Sequence, residues 1–187
     1  MEIEELGIKG AWIARSPIHK DDRGYFREWF KAGEIKIALG RSFDVQQGNI
    51  SSSNRGVLRG IHYSLAKEGQ GKWITCISGS VWDVVVDIRP SSTTYRKWIG
   101  TELHSGSGDA LFISEGLGHA FISLEDNSTV AYLLTSKYSP AEEFAIHPLD
   151  PELAITWPLQ NPSLSLKDGS APTLQEQLSS GNLEFEM

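Results

Sequence analysis

Residues 73–88 read Trp-Ile-Thr-Cys-Ile-Ser-Gly-Ser-Val-Trp-Asp-Val-Val-Val-Asp-Ile, two β-rich runs on either side of a Ser-Gly-Ser turn at 78–80. Aromatic and β-branched side chains favour strands, and a short turn between two such runs predicts a β-hairpin. In the second run, Asp83 and Asp87 share a face with valines, and buried carboxylates need hydrogen-bond partners. We expect a turn or backbone hydrogen-bonding role for Asp87, which is close to Arg89, and leave the role of Asp83 open.

The preceding segment puts basic side chains into a predicted strand. It reads Gly-Val-Leu-Arg-Gly-Ile-His-Tyr over 56–63. After a polar loop, the sequence continues with Gln-Gly-Lys over 70–72. Imidazole accepts protons near pH 7, while lysine and arginine provide positive charge for a phosphate or a developing oxyanion. Strict alternation would point Arg59 and His62 to opposite faces, so a shared site predicts an irregularity at Gly60. The alternative is a solvated strand end whose histidine only packs.

Short strands with few helices recur along the rest of the chain. Strands are predicted over 45–50, 98–103 and 129–135, and a polar turn over 51–55; short helices are predicted over 33–39, closed by Gly40, and over 174–178, capped by Thr173. This pattern is typical of an all-β sandwich or barrel. A length of 187 residues predicts a single domain over 1–187.

Composition limits the classes of partner and the compartment. A net charge of -7 argues against a nucleic-acid partner but leaves room for a small anionic ligand bound by a local basic cluster. The single cysteine, Cys76, excludes an intramolecular disulfide, and its apolar neighbours predict a buried structural thiol. The acidic N-terminus is unlike a secretory signal, and no apolar run reaches membrane-spanning length, so we expect a cytoplasmic protein without a membrane partner.

Four motifs in order, at 59–63, 70–72, 83–89 and 115–119, give the chain a family resemblance. From about residue 21 to 173 it resembles the dTDP-4-dehydrorhamnose 3,5-epimerases and their antibiotic-sugar relatives. The resemblance implies a cupin-like jelly-roll barrel with a few short helices, and a homodimer with strand exchange. It also implies a dTDP-linked 4-keto-6-deoxysugar as substrate, with no cofactor and no metal.

The resemblance also implies roles for individual residues. His62 would remove a proton next to the keto group, with Asp168 orienting its ring. Lys72 would stabilise the enolate oxygen, and Tyr132 would return a proton from the opposite face. The implied binding residues comprise those for the pyrophosphate (Arg59, His119), the nucleotide (Gln47, Asn49), further ligand contacts (Tyr138, Glu143, Lys167) and the neighbouring subunit's nucleotide (Arg23, Phe26, Glu28).

Two features depart from the double epimerases: Lys137 replaces the first tyrosine of a Tyr-Tyr-Ser-Pro run, and Leu-Gly at 117–118 replaces Phe-Ala. Both features, together with His-Pro-Leu-Asp-Pro at 147–151, are more like those of antibiotic-sugar enzymes that invert carbon 3 alone. We therefore hypothesise that carbon 3 exchanges its proton readily, and carbon 5 slowly or not at all.

Two other functional classes are compatible with parts of the sequence. A metal-dependent cupin enzyme needs two histidines one residue apart, and here Ser64 stands at that spacing from His62. A non-catalytic nucleotide-sugar-binding protein would need Arg59 and His119 but would have no use for the catalytic set. Metal analysis of the purified protein tests the first class, and solvent-deuterium exchange into a keto-sugar tests the second.

Overall fold

A computed structural model describes residues 1–185, and within them the chain forms thirteen strands and three short helices. The predicted all-β class is confirmed, and no helix in this range is long and apolar enough to cross a membrane. In chain order the elements are β1 (Glu2–Glu5), β2 (Ala11–Arg15), β3 (Ile18–Asp21), β4 (Gly24–Arg27), α1 (Ala32–Leu39), β5 (Gln47–Ser53), β6 (Leu58–Ser64), β7 (Lys72–Ser78), β8 (Ser80–Asp87), β9 (Trp98–His104), β10 (Asp109–Ile113), β11 (Leu117–Ser123), β12 (Ser128–Leu134), β13 (Glu143–Ala145), α2 (Leu166–Gly169) and α3 (Leu174–Ser179).

The strands form two antiparallel sheets that pack face to face, together with a separate β3–β4 hairpin. The six-stranded sheet has the order β1-β2-β10-β7-β12-β5, and the five-stranded sheet has the order β13-β6-β11-β8-β9. Ile74 and Val130 from the first sheet pack in one buried cluster with Val81 and Leu103 from the second. Each such side chain stabilises the fold by roughly 1.5–3 kcal/mol. The expected cupin-like jelly roll is confirmed.

The hairpin predicted over 73–88 is wrong, although both strands exist. β7 pairs with β10 and β12, whereas β8 pairs with β11 and β9 in the other sheet. Each run is an interior strand of its own sheet and is mostly buried, and the turn at 78–80 carries the chain from one sheet to the other. Ser128 stabilises the turn at 78–80, because its hydroxyl donates to the carbonyl of Ser80 at 2.8 Å.

The polar turn predicted over 51–55 is partly wrong, because β5 continues to Ser53. Its backbone stays paired with β12, with Ser53 opposite Ser128. The polar side chains of this stretch favoured the prediction of a turn, although its backbone forms a regular strand. Both predicted helices are present: Gly40 ends α1 with a φ of 70°, and Thr173 caps α3 in a capping box.

The predicted irregularity in β6 is confirmed. Opposite β11, His62 pairs with His119 but Arg59 pairs with Phe121, so β6 carries one extra residue. Gly60 has a φ of 112°, and a Cβ there would lie 2.5 Å from the His119 carbonyl oxygen. Glycine is therefore required at this position, and the bulge turns Arg59 and His62 toward the same side.

The C-terminal segment returns along β6 and brings α2 beside it. A parallel bridge joins Val57 to Ser163, and the amide of Leu58 donates to the Ser163 carbonyl at 2.9 Å. Ser165 then caps α2 by accepting from the amide of Asp168 at 3.0 Å. This four-residue helix was not predicted, yet it fixes the position of Asp168.

Candidate active site

A cavity of about 260 Å³ opens between the two sheets. Most of the predicted site residues line it, with contributions from both sheets and from α2. Its walls are formed by Gln47, Asn49, Ser51, Arg59, His62, Gln70, Lys72, His119, Phe121, Tyr132, Leu134, Tyr138, Glu143, Phe144 and Lys167.

His62 on β6 is held by a buried carboxylate. Its Nε2 lies 2.7 Å from Oδ1 of Asp168, and the Ser165 hydroxyl donates to the other carboxylate oxygen at 2.9 Å. Burial raises the pKa of Asp168, but the hydrogen bond and charge of His62, together with Ser165, outweigh this and keep the pKa below its ordinary value. An anionic Asp168 keeps the ring proton on Nε2, so Nδ1 is the nitrogen free to accept a proton.

Lys72 places an amine at the start of β7, where it is only 7% exposed. Its Nζ lies 3.4 Å from the carbonyl oxygen of His62, and no carboxylate among residues 1–185 lies within ion-pair distance of it. Burial lowers the pKa of Lys72, and the charges of Glu143 and Asp83 oppose this in part. Such a poorly solvated ammonium interacts strongly with any anionic oxygen that enters the cavity.

Tyr132 lies in the six-stranded sheet, whereas His62 lies in the five-stranded sheet. Burial raises the pKa of Tyr132, while the amide of Asn49 and the charge of Arg59 lower it in part. The phenol is therefore neutral near pH 7 and can act as a proton donor. The cavity therefore has an imidazole on one wall and a neutral phenol on the facing one.

A second histidine–carboxylate pair lies beside the first. Nε2 of His119 is 2.9 Å from both carboxylate oxygens of Asp83, which is fully buried. The role left open for Asp83 is thus to hold the ring of His119. Asp87 instead accepts from the backbone amide of Arg89 at 3.1 Å, as its predicted turn role requires, and also from the Arg89 guanidinium at 2.8 Å and the Ser92 hydroxyl at 2.6 Å.

Hydrogen bonds along β5 fix the polar side chains on this wall of the cavity. Arg59 Nε donates to the Ser53 hydroxyl at 3.0 Å, and its Nη2 donates to a backbone carbonyl of β5 at 3.1 Å. Gln47 donates to the Oδ1 atom of Asn49 at 3.0 Å and accepts from the amide of Tyr138 at 2.8 Å. The amide of Gln70 donates to Glu143 at 2.8 Å, so the carboxylate has a fixed orientation beside Lys72.

Several residues singled out from the sequence lie elsewhere. The side chain of Arg23 is 90% exposed on the β3–β4 hairpin, Phe26 is 64% exposed, and Glu28 lies 3.5 Å from Lys31; none of the three lines the cavity. Lys137, which replaces a tyrosine of the double epimerases, is exposed in a neighbouring groove, and its neighbour Tyr138 lines the cavity.

The sequence also left some lining residues unassigned. These are Ser51, Gln70, Phe121, Leu134 and Phe144. The three apolar members look like ordinary core residues, and the Gln-Gly-Lys motif indicates no role for Gln70. Ser51 could have been found by strand alternation, because residues two apart in β5 point to the same face and Asn49 was already assigned to the site.

Comparisons with known proteins agree with this fold and cavity. Residues 5–176 match the family described as dTDP-4-dehydrorhamnose 3,5-epimerase. The dTDP-4-dehydrorhamnose 3,5-epimerase of Mycobacterium tuberculosis is 44% identical over 186 residues, which cover 98% of this chain and 92% of the relative.

Two solved structures are similar along almost their whole length. NovW, a 4-keto-6-deoxy sugar epimerase from the novobiocin biosynthetic gene cluster of Streptomyces spheroides, has a TM-score of 0.96 and 44% identity, covering 99% of this chain and 93% of that one. ChmJ, a 3'-monoepimerase from Streptomyces bikiniensis in complex with dTDP-quinovose, has a TM-score of 0.91 and 43% identity, covering 94% and 89%.

Proposed function

The chain belongs to the dTDP-4-dehydrorhamnose 3,5-epimerase family and is an isomerase of dTDP-sugars, and we propose that it inverts carbon 3 of a dTDP-4-dehydro-6-deoxyhexose in this cavity. Hydrogens on the carbons beside a keto group are acidic, because the electron pair of the broken C–H bond moves onto the oxygen. Inversion requires proton removal from one face of the sugar and proton return from the other.

The opposed pair of His62 and Tyr132 carries the proposal. The Asp168-bound imidazole takes the proton, the C–H electron pair forms the enolate, and the neutral phenol donates to the opposite face of the carbon. Proton exchange with solvent then returns both side chains to their starting states. The two groups belong to different sheets and line the same cavity, which supports their action on opposite faces of the sugar.

Lys72 stabilises the enolate in this scheme. It is buried, lies next to the backbone of His62 and has no carboxylate in ion-pair distance among the described residues. A preorganised donor of this kind lowers the barrier because it acts on charge that develops during the reaction.

The rest of the cavity binds the nucleotide part of the substrate. Arg59 and His119 hold the pyrophosphate, and Gln47 and Asn49 line the path to the nucleotide. The remaining ligand contacts come from Tyr138, Glu143 and Lys167. The basic, amide and aromatic side chains of this region suit an anionic nucleotide-sugar.

The β3–β4 hairpin completes the site of a second subunit. Arg23, Phe26 and Glu28 are exposed and remote from their own cavity, as expected for residues that act in a partner. An exposed aromatic beside charged side chains is also typical of an interface anchor. The assembly in this proposal is a homodimer with exchanged hairpins.

Carbon 3 is the centre shared by the reactions in the relatives' names, which include both a 3,5-epimerase and a 3'-monoepimerase at similar identity. The hypothesis that carbon 5 exchanges slowly or not at all now rests on the Leu-Gly and His-Pro segments. Lys137 no longer supports it, since this side chain lies outside the cavity.

Incubation of the protein with dTDP-4-keto-6-deoxyglucose in heavy water tests the function. Proton magnetic resonance should show deuterium at carbon 3 and the inverted configuration there. Equal, rapid labelling at carbon 5 would identify a double epimerase. Absence of label at both carbons would overturn the proposal.

A further inference from the structure

Strand β5 carries a row of polar side chains along one wall of the cavity. Gln47, Asn49, Ser51 and Ser53 are each less exposed than the residues between them. Strand alternation therefore turns this row inward and leaves Ser52 outside.

Ser51 differs from its neighbours in the row, because its hydroxyl has no partner. Gln47 and Asn49 bond to each other, and Ser53 accepts from Arg59. The Oγ atom of Ser51 is buried without a hydrogen bond, and among such atoms in residues 1–185 it is the one that belongs to a residue of the cavity wall. Buried polar atoms nearly always have partners, so the missing partner is a candidate ligand atom.

The position of Ser51 indicates the chemistry of that atom. It precedes by two residues the serine that holds Arg59, and Arg59 lines the same cavity without a carboxylate partner among the described residues. A hydroxyl beside a guanidinium group is suited to donate to an anionic oxygen. We propose that Ser51 is a further binding residue whose hydroxyl donates to a phosphate oxygen of the nucleoside diphosphate; this inference rests on the proposed function.

Calorimetric titration of Ser51→Ala with dTDP and with thymidine tests the proposal. We expect the Kd for dTDP to rise about tenfold, the size of one hydrogen bond to a charged group. The affinity for thymidine should not change, because thymidine lacks the phosphates. The Tm of the free protein should not fall, since the hydroxyl has no internal partner to lose.

Ser52→Ala is the matched control, because it removes the same atom from the outward face of the same strand and should leave dTDP binding unchanged. An unchanged Kd for dTDP in Ser51→Ala, or equal losses for dTDP and thymidine, would overturn the inference while the proposed function stands. Failure of the wild-type protein to bind dTDP would overturn the proposed function, and this inference with it.

Discussion

Burial acts differently on three ionisable groups of the candidate site, two in the cavity wall and one behind His62. It lowers the pKa of Lys72 and raises that of Tyr132, whereas Asp168 stays anionic because His62 and Ser165 bond to it. The cavity thus combines an anionic orienting group, a neutral phenol and an amine that loses its proton more easily than an exposed lysine. These states suit the transfer of protons to and from a neutral ketone.

Removal of the base should stop the reaction. His62→Ala should abolish deuterium exchange at every carbon, and Asp168→Asn should slow it by about 10²- to 10⁴-fold because the imidazole loses its orientation and the favoured tautomer. Initial exchange rates measured by magnetic resonance check this. His104→Ala, at the exposed end of β9, is the control and should leave the rate unchanged. Near-normal exchange by His62→Ala would remove this residue from the role of base.

The state of Lys72 should set the alkaline limit of activity. Burial lowers the pKa of its ammonium group, so the charged form is present below this pKa and is lost as the pH rises through it. We expect kcat to decline at a pH below the ordinary lysine pKa of about 10.4. A profile of kcat against pH, measured up to pH 10.5, checks this decline. A kcat that stays constant up to pH 10.5 would show that the rate-limiting step does not need the positive charge of Lys72.

The strands and helices that carry the site could be predicted only where neighbouring residues within one segment determine the structure. Alternation located most strands, and the unfavourable parity of Arg59 and His62 predicted the bulge at Gly60. The sheet crossing at 78–80 could not be predicted, because a turn between two buried runs looks the same whether the runs pair or separate. Asp168 lies on a four-residue helix without periodicity, so the family resemblance alone assigned it.

The bulge in β6 gives an element-level test. Gly60→Ala should destabilise the protein by roughly 2 kcal/mol or more, because its Cβ would meet the His119 carbonyl oxygen and the φ is positive. Thermal unfolding checks the stability. The rate of deuterium exchange into the substrate should also fall, because Arg59 and His62 would lose their common orientation. Gly33→Ala, in α1 with open space around it, is the control and should be neutral or stabilising. Equal Tm values for the two variants would show that β6 tolerates a side chain at the bulge.

The two-sheet architecture determines which side chains can face each other. In the proposed mechanism the base (His62) comes from β6, the acid (Tyr132) from β12 and the amine (Lys72) from β7, so no local segment contains the whole set. The charged hairpin β3–β4 is the part that this arrangement leaves unused within one chain. We propose that its side chains act in the cavity of a second copy.

Mixed dimers test whether the hairpin acts in the partner. Arg23→Glu and His62→Ala protomers should each be inactive alone. Since a mixed dimer contains one cavity with His62 and a partner hairpin with Arg23, mixing the two variants should recover roughly a quarter of wild-type activity after random exchange of subunits. Light scattering confirms the dimer in each sample. A mixture that stays inactive, or a monomer that binds dTDP tightly, would contradict hairpin exchange.

The fate of the label in Tyr132→Phe tests the opposed acid and base most directly. With dTDP-4-keto-6-deoxyglucose in heavy water, His62 should still remove the proton at carbon 3 of the sugar. Without the phenol on the facing wall, deuterium should return from the same side, so the product should be labelled at carbon 3 with its configuration retained. Labelling with normal inversion in Tyr132→Phe would contradict proton return by Tyr132.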